Sequence, residues 1–346
     1  MIRFGPAGIP LSCKGRTLQD GIEDVHNLSL SALEIQMVRS SAYARPPDDE
    51  EIGMTLKDIT EGFVLEIVRD GDLIVDSDEP IDEDDDLIYM PSGISDTYGD
   101  LFWTNEMAKR LDVNLSIHTP YYIDLGSNND LTENCLESIR HAALILNALG
   151  GDVVVTSLGL YDGKTDEEEI DNNIYGNVAD LMDWWHDNGL TPRLGIEVTG
   201  QQDVFGSLEQ VLDICEQIDG LVPVMNFSHH HSRTNGSLLE VDDFLDVLEE
   251  IEPFSDGRIH TAFAGVEYDD EGNEKRLTPI KKGDLKFEPL AEALIEMKPN
   301  ATVVSTSPLL EHDAMYMKII HERVLAKKVA KDLKEKKKAE LAAAGE

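Results

Sequence analysis

Five side chains able to bind a metal or move a proton stand at the ends of short apolar, β-branched runs. His118 closes one run, Glu197 closes Gly195-Ile196-Glu197, Asn226 and His229 fall in Asn226-Phe227-Ser228-His229, and His260 closes Arg258-Ile259-His260. Imidazole nitrogen and carboxylate oxygen are the donors that zinc, manganese or iron accept, and a glutamate among histidines can bridge two ions or polarise a water. A single histidine is more often a hydrogen-bonded core or rim group. Four runs ending in such groups argue instead for convergence on one site. His230 and His231 stay open: in an extended strand successive side chains alternate, so His229 and His231 would share a side that His230 avoids.

Something must carry these residues to one place. Eight β-branched runs alternate with stretches of helical spacing, the pattern of a parallel α/β protein. The strands are expected at Ile2–Gly8, Ala32–Val38, Asn114–Pro120, Asp152–Ser157, Arg193–Thr199, Val222–His229, Arg258–Ala264 and Ala301–Ser307. Helices are expected at Leu18–Asn27, Tyr98–Leu111, Leu131–Leu149, Glu167–Asn188, Ser207–Gln217, Val241–Ile251 and Phe287–Met297, with a last one from Glu311. Eight such units without a G-x-G-x-x-G or P-loop turn predict a single (β/α)8 TIM barrel over residues 1–325, whose working face lies at the strands' carboxyl ends. Residues 46–95 interrupt the rhythm as an acidic insertion after strand two, with a hairpin turning at Asp70-Gly71. Residues 326–346 read as a basic, exposed helix or tail.

Composition narrows the function classes. The chain has 346 residues, 69 of them acidic against 29 basic, a net charge of −40. Such a surface fits high intracellular salt, where a Debye length of about 3 Å at 1 M screens the repulsion. It excludes nonspecific attraction to a phosphate backbone, so a nucleic-acid role needs a local basic lining or a metal. The three cysteines, Cys13, Cys135 and Cys215, are widely spaced and make neither a disulfide framework nor a zinc knuckle. No run is long and apolar enough for a membrane span, and the start MIRFGPAGIP lacks signal-peptide regions, so a cytoplasmic monomer without membrane contact is expected.

The segments MIRFGPAGIPLSCKGRT, IHTPYYIDLGS at 117–127, GIEVTG at 195–200, NFSHHHSR at 226–233, FAGVEY at 263–268 and STSPLLEHDAM at 305–315 together carry a family likeness. The chain resembles the endonuclease IV family of apurinic/apyrimidinic endonucleases, within the xylose-isomerase-like barrels, and most closely its archaeal branch. That resemblance implies a zinc-dependent phosphodiesterase of DNA repair acting on abasic or damaged DNA, with three zinc ions. It implies metal ligands at His118, Glu197, Asn226, His229 and His260, catalytic roles for His118 and Glu197, and DNA contacts at Tyr121, Tyr122 and Arg233. Thr156 stands where the family has a strand-four histidine, and Ser305-Thr306 where it has a strand-eight glutamate. The Asp-x-His pair expected after strand seven is missing from EKRLTP, where Leu277 takes the histidine's place. Adjacent divalent ions need several anionic ligands, so one carboxylate implies at most one ion, zinc or another divalent metal, on His118, Glu197 and His260, or none. A noncatalytic binding barrel is the alternative. A sugar isomerase or epimerase, which needs two strand-end carboxylates, is disfavoured with only Glu197 in view.

Overall fold

The computed structural model describes residues 1–39, 41–91 and 93–343, with side chains described to residue 337. In chain order the elements begin with β1 (Ile2–Pro6), α1 (Leu18–Asn27) and β2 (Ala32–Gln36). The insertion follows as β3 (Tyr43–Arg45), β4 (Val64–Arg69), β5 (Asp72–Ile74) and β6 (Asp86–Tyr89). Then come α2 (Tyr98–Arg110), β7 (Asn114–His118), α3 (Asp130–Ala148), β8 (Val153–Thr156), α4 (Glu167–Asp187), β9 (Arg193–Glu197) and α5 (Leu208–Gln217). The last third holds β10 (Leu221–Asn226), α6 (Phe227–Arg233), α7 (Val241–Ile251), β11 (Ile259–Phe263), β12 (Gly265–Tyr268), β13 (Glu274–Thr278), α8 (Phe287–Met297), β14 (Ala301–Ser305) and α9 (Glu311–Ala343).

All eight expected strands join one parallel sheet in the order β1-β14-β11-β10-β9-β8-β7-β2. A parallel bridge between Ala7 and Glu34 links the two edge strands, so the sheet rolls into a single (β/α)8 barrel. Val153, Val155, Val222 and Val224 form an apolar cluster of their own, separate from the main core. They alternate with Val154 and Met225, which belong to that main core, so the four valines plug the barrel interior.

The largest departure lies after β10. The expected strand Val222–His229 ends at Asn226, and residues Phe227–Arg233 turn into helix. Asn226 is the cause: its side-chain oxygen accepts from the backbone of Ser228 at 3.2 Å and of His229 at 3.3 Å, an N-cap that terminates the strand. A second hairpin, β12 with β13, also lies outside the expected rhythm.

The insertion is a four-stranded antiparallel sheet, β3-β6-β4-β5, that starts at Tyr43, before the expected residue 46. Its hairpin turns at Asp70-Gly71, where both residues take positive φ, 53° and 90°, as a type I′ turn requires. Arg69 gathers Glu79, Asp82 and Asp85 within 2.6–3.3 Å. Glu66 reaches His141 of α3 at 3.2 Å, a buried contact that docks the insertion on the barrel. Helix α9 runs without a break through residues 325 and 326. Among the described residues no helix is long and apolar enough to cross a membrane.

At the closed end of the barrel, opposite the strands' carboxyl ends, Arg193 donates to the backbone oxygens of Ser255 and Arg258 and to Asp152 at 3.0 Å, all under cover. Asp152 also meets Arg258 Nη1 at 2.8 Å, so removing Arg193 leaves it one cation, while the two backbone acceptors lose their donor. Arg193→Ala is therefore expected to lower the unfolding free energy by about 2 kcal/mol in molar salt, read from denaturant midpoints. A loss below about 1 kcal/mol would show that the cluster does not brace this end of the barrel.

Candidate functional site

Glu197 ends β9 in the middle of the mouth, and three expected site residues close on its carboxylate. His118 places Nε2 3.2 Å from Oε2, Asn226 donates Nδ2 to Oε1 at 3.0 Å, and His229 holds Nε2 4.0 Å from Oε1. His118, Glu197 and Asn226 are all buried. His118 hydrogen-bonds through Nδ1 to the Thr119 carbonyl at 2.7 Å, which leaves Nε2 for the site.

His229 reaches the mouth because it sits in the first turn of α6. Its Nδ1 meets Glu274 at 2.5 Å, on the hairpin strand β13. The pairing requires glycine at Gly200, where an added Cβ would lie 2.8 Å from Glu274 and 3.1 Å from His229. The helix also separates the neighbouring histidines. His231 points away and accepts from the Leu238 backbone at 3.1 Å, because residues two apart in a helix do not share a face as they do in a strand. His230 is pushed down to about 4 by burial, with help from nearby His231 and Arg233.

His260 does not join His118 and Glu197. Its Nε2 faces Glu34 of β2 at 3.1 Å, and Glu34 also receives Ser116 at 3.4 Å and Gln36 at 3.0 Å. Glu34 is 3% exposed. It and Gln36 were legible as the polar members of the alternating stretch Ala32–Gln36, whose apolar partners face outward. Glu274 carried no comparable signal, and it corrects the reading of EKRLTP: the carboxylate after strand seven is present, while Leu277 merely pairs with Val266 in the hairpin.

The expected DNA contacts divide. Tyr121 is 77% exposed and Tyr122 45% exposed. The Tyr121 ring lies over His118 with centroids 5.2 Å apart, and its hydroxyl donates to Gln36 at 3.1 Å. Arg233 faces inward: its guanidinium donates to Thr199 at 3.0 Å and to the carbonyls of Gln201 and Val204, clamping the loop after β9. On the far side of Gln36 opens a cavity of about 490 Å³ with Glu34 in its wall.

Charge is concentrated here. Burial pushes the Glu197 carboxylate up, but the His118 hydrogen bond and charge, with His229 and Asn226, hold it at about 2. Burial likewise pushes His118 down, and Glu197 more than offsets this, raising the imidazole to about 9. Although most of its ring is exposed, Tyr121 is pushed up to about 12 by loss of water around the hydroxyl that meets Gln36 and by the carboxylates of Glu197, Glu34 and Glu274.

Two imidazoles whose Nδ1 atoms are held by oxygen acceptors, with Nε2 turned on a shared carboxylate, are donor types that a divalent ion accepts. Among the described residues no three such groups stand close enough to enclose an ion. Three ions do not fit. Asn226 uses its oxygen as the helix cap and presents an amide to Glu197, so it does not act as a ligand. On strand four the Thr156 hydroxyl accepts from Thr119 at 2.9 Å, and on strand eight the Ser305 and Thr306 hydroxyls are buried without partners.

Family comparison agrees with this architecture. A family profile described as xylose isomerase-like TIM barrel matches residues 104–313. The chain belongs to that family. It is 29% identical over 229 residues to an uncharacterized protein of Methanocaldococcus jannaschii, across 63% of this chain and 82% of that one. Among solved structures it is similar to an L-ribulose 3-epimerase, with a TM-score of 0.59, 12% identity and coverage of 99% and 98% of the two chains. Endonuclease IV from Thermus thermophilus gives 0.58, 14%, 93% and 99%. A D-tagatose 3-epimerase-like protein gives 0.53, 22%, 66% and 85%. At these identities the likenesses show the fold shared by this xylose isomerase-like chain and its neighbours.

In the metal-free protein the Glu197–His118 pair predicts a stability plateau. The depressed carboxylate stabilises fully above its ordinary 4.5 and loses this as pH falls toward 2. The raised imidazole stabilises fully below 6.5 and loses this as pH rises through 9. Melting temperature should therefore be highest between pH 4.5 and 6.5 and fall on both sides. Glu197→Gln should flatten both slopes; an unchanged profile in that variant would disprove the pairing.

Proposed function

We propose that the mouth is a one-ion centre held by His118, His229 and Glu197, and that the chain transfers protons on a small polyhydroxy or carbonyl substrate, an isomerase or epimerase type of reaction. Glu34 carries this reading. It supplies a second buried carboxylate across the mouth from Glu197, in the wall of an open cavity, which removes the objection that the barrel has only one. A divalent ion, zinc or another, would polarise the substrate's carbonyl or hydroxyl oxygens when bound. Glu34 takes or returns the substrate proton, with His260 Nε2 at 3.1 Å to share it. Asn226 orients Glu197 through its amide, and Tyr121 with Gln36 covers the pair from bulk water.

The endonuclease IV reading, cleavage of abasic or damaged DNA, stands second. Tyr121 and Tyr122 favour it, since exposed aromatic faces at a mouth suit stacking on bases. Against it count the carboxylates of the mouth, the inward commitment of Arg233 and a donor set too small for three ions. Any DNA role would have to overcome long-range repulsion from a chain of net charge −40.

Metal analysis on protein purified without chelator, combined with solvent-deuterium incorporation into a panel of aldoses and ketoses in molar salt, tests the proposal. The expected result is about one ion per chain, deuterium in at least one sugar, and no nicking of an abasic duplex. His229→Ala should weaken ion binding about 10- to 100-fold. Glu34→Gln should keep the ion and slow exchange by about 10²-fold or more. Nicking without exchange would install the endonuclease reading, and a chain that binds neither ion nor sugar would be a noncatalytic barrel.

A further inference from the structure

We propose that the cavity beside β2 is a separate ligand site for a small organic oxyanion, a phosphate or carboxylate carried on an apolar body. The cavity holds about 490 Å³, and its walls are mainly aliphatic, among them Ile9, Met37, Ile94 and Leu310. Polar atoms enter at two levels. Glu34 and Gln36 lie in the wall nearest the barrel, while Arg16 and Arg39, both exposed, stand at the outer rim.

Two features leave the arginines available to a ligand. Of the twelve arginines, Arg3, Arg45, Arg69, Arg193, Arg258 and Arg276 are paired with carboxylates, and Arg16 and Arg39 are among the other six. Among the described residues neither Arg16 nor Arg39 has a carboxylate even as near as the 3.9 Å that separates Lys318 from Glu322. Arg16 moreover holds a left-handed backbone, φ 63°, immediately before the cap of α1, a strained conformation for a side chain with a Cβ. Its Nη1 donates to the Pro10 carbonyl at 2.9 Å, which fixes the guanidinium and leaves its other donors for a ligand. Two planar cations at the rim match the charge of a phosphate monoester and the fork geometry of either oxyanion.

Glu34 would repel an anion placed deep in the cavity. The occupant therefore sits with its charged end between Arg16 and Arg39 and its apolar body inward against the aliphatic wall. Neither His118 nor Glu197 lines this space, and the Tyr121–Gln36 hydrogen bond stands between the two lobes. The inference consequently does not depend on the one-ion reading.

Calorimetric titration of the full chain with phenyl phosphate, benzoate and benzyl alcohol, before and after chelation, tests it. At least one anion should bind about tenfold or more tighter than the alcohol, as loss of a charge-assisted hydrogen bond implies, and chelator should change nothing. The stronger anion identifies phosphate or carboxylate as the preferred head. Arg39→Gln, at an exposed position that tolerates substitution, should weaken that anion about tenfold, and Arg16→Gln should do the same if circular dichroism shows it folded. Benzyl alcohol binding as tightly as both anions, unchanged affinity in Arg39→Gln, or anion binding abolished by chelator would each overturn the proposal.

Discussion

The centre of this molecule is a carboxylate that has been taken out of water. Glu197 is buried where β9 opens into the mouth, and an unpaired carboxylate in such a place would be driven toward its neutral form. Here it stays charged because His118, Asn226 and His229 surround it from three other elements. Each of those partners is itself held: His118 by a backbone carbonyl, His229 by Glu274, Asn226 by its own role as a cap. The loop chemistry around the mouth follows from this need. The break of β10 into α6, the hairpin β12–β13 and the missing side chain at Gly200 all bring a hydrogen-bond partner to Glu197 or to one of its partners.

Asn226 is the informative residue in that arrangement. An aspartate there would set a second carboxylate 3.0 Å from Glu197, and like charges that close cannot both ionise without a cation between them. Asparagine converts the repulsion into a hydrogen bond. The contact with Glu197 is thereby favourable without any cation between the two side chains.

The barrel was legible because its strands and helices are encoded locally. Alternation of β-branched runs with helical spacing needs no partner to be seen, and even helix limits such as Val241–Ile251 and Phe287–Met297 coincide with the periodicity. The site was legible only where a polar residue ends a strand, as at His118 and Glu197. Position 229 shows the boundary of that logic: its side chain reaches the mouth only because Asn226 caps a helix, so strand alternation gives the wrong neighbours for His229 and His231. Glu274 comes from a hairpin 45 residues beyond its partner. No local pattern marks that contact, since it exists only after the hairpin folds back over β9.

Glu34 joins the two halves of the mouth and constrains what either can do. Its oxygens are shared among Ser116, Gln36 and His260, and the Gln36 it holds is the residue that Tyr121 reaches across to cover His118. Glu34 therefore helps to hold Gln36, and through Gln36 the cover over His118. Glu34 and Gln36 also line the neighbouring cavity, so the same two side chains border both spaces. In the proposed reading a compact substrate would lie between Glu34 and Glu197. A duplex would have to displace the Tyr121–Gln36 bond and face three carboxylates with Arg233 already committed beneath the surface.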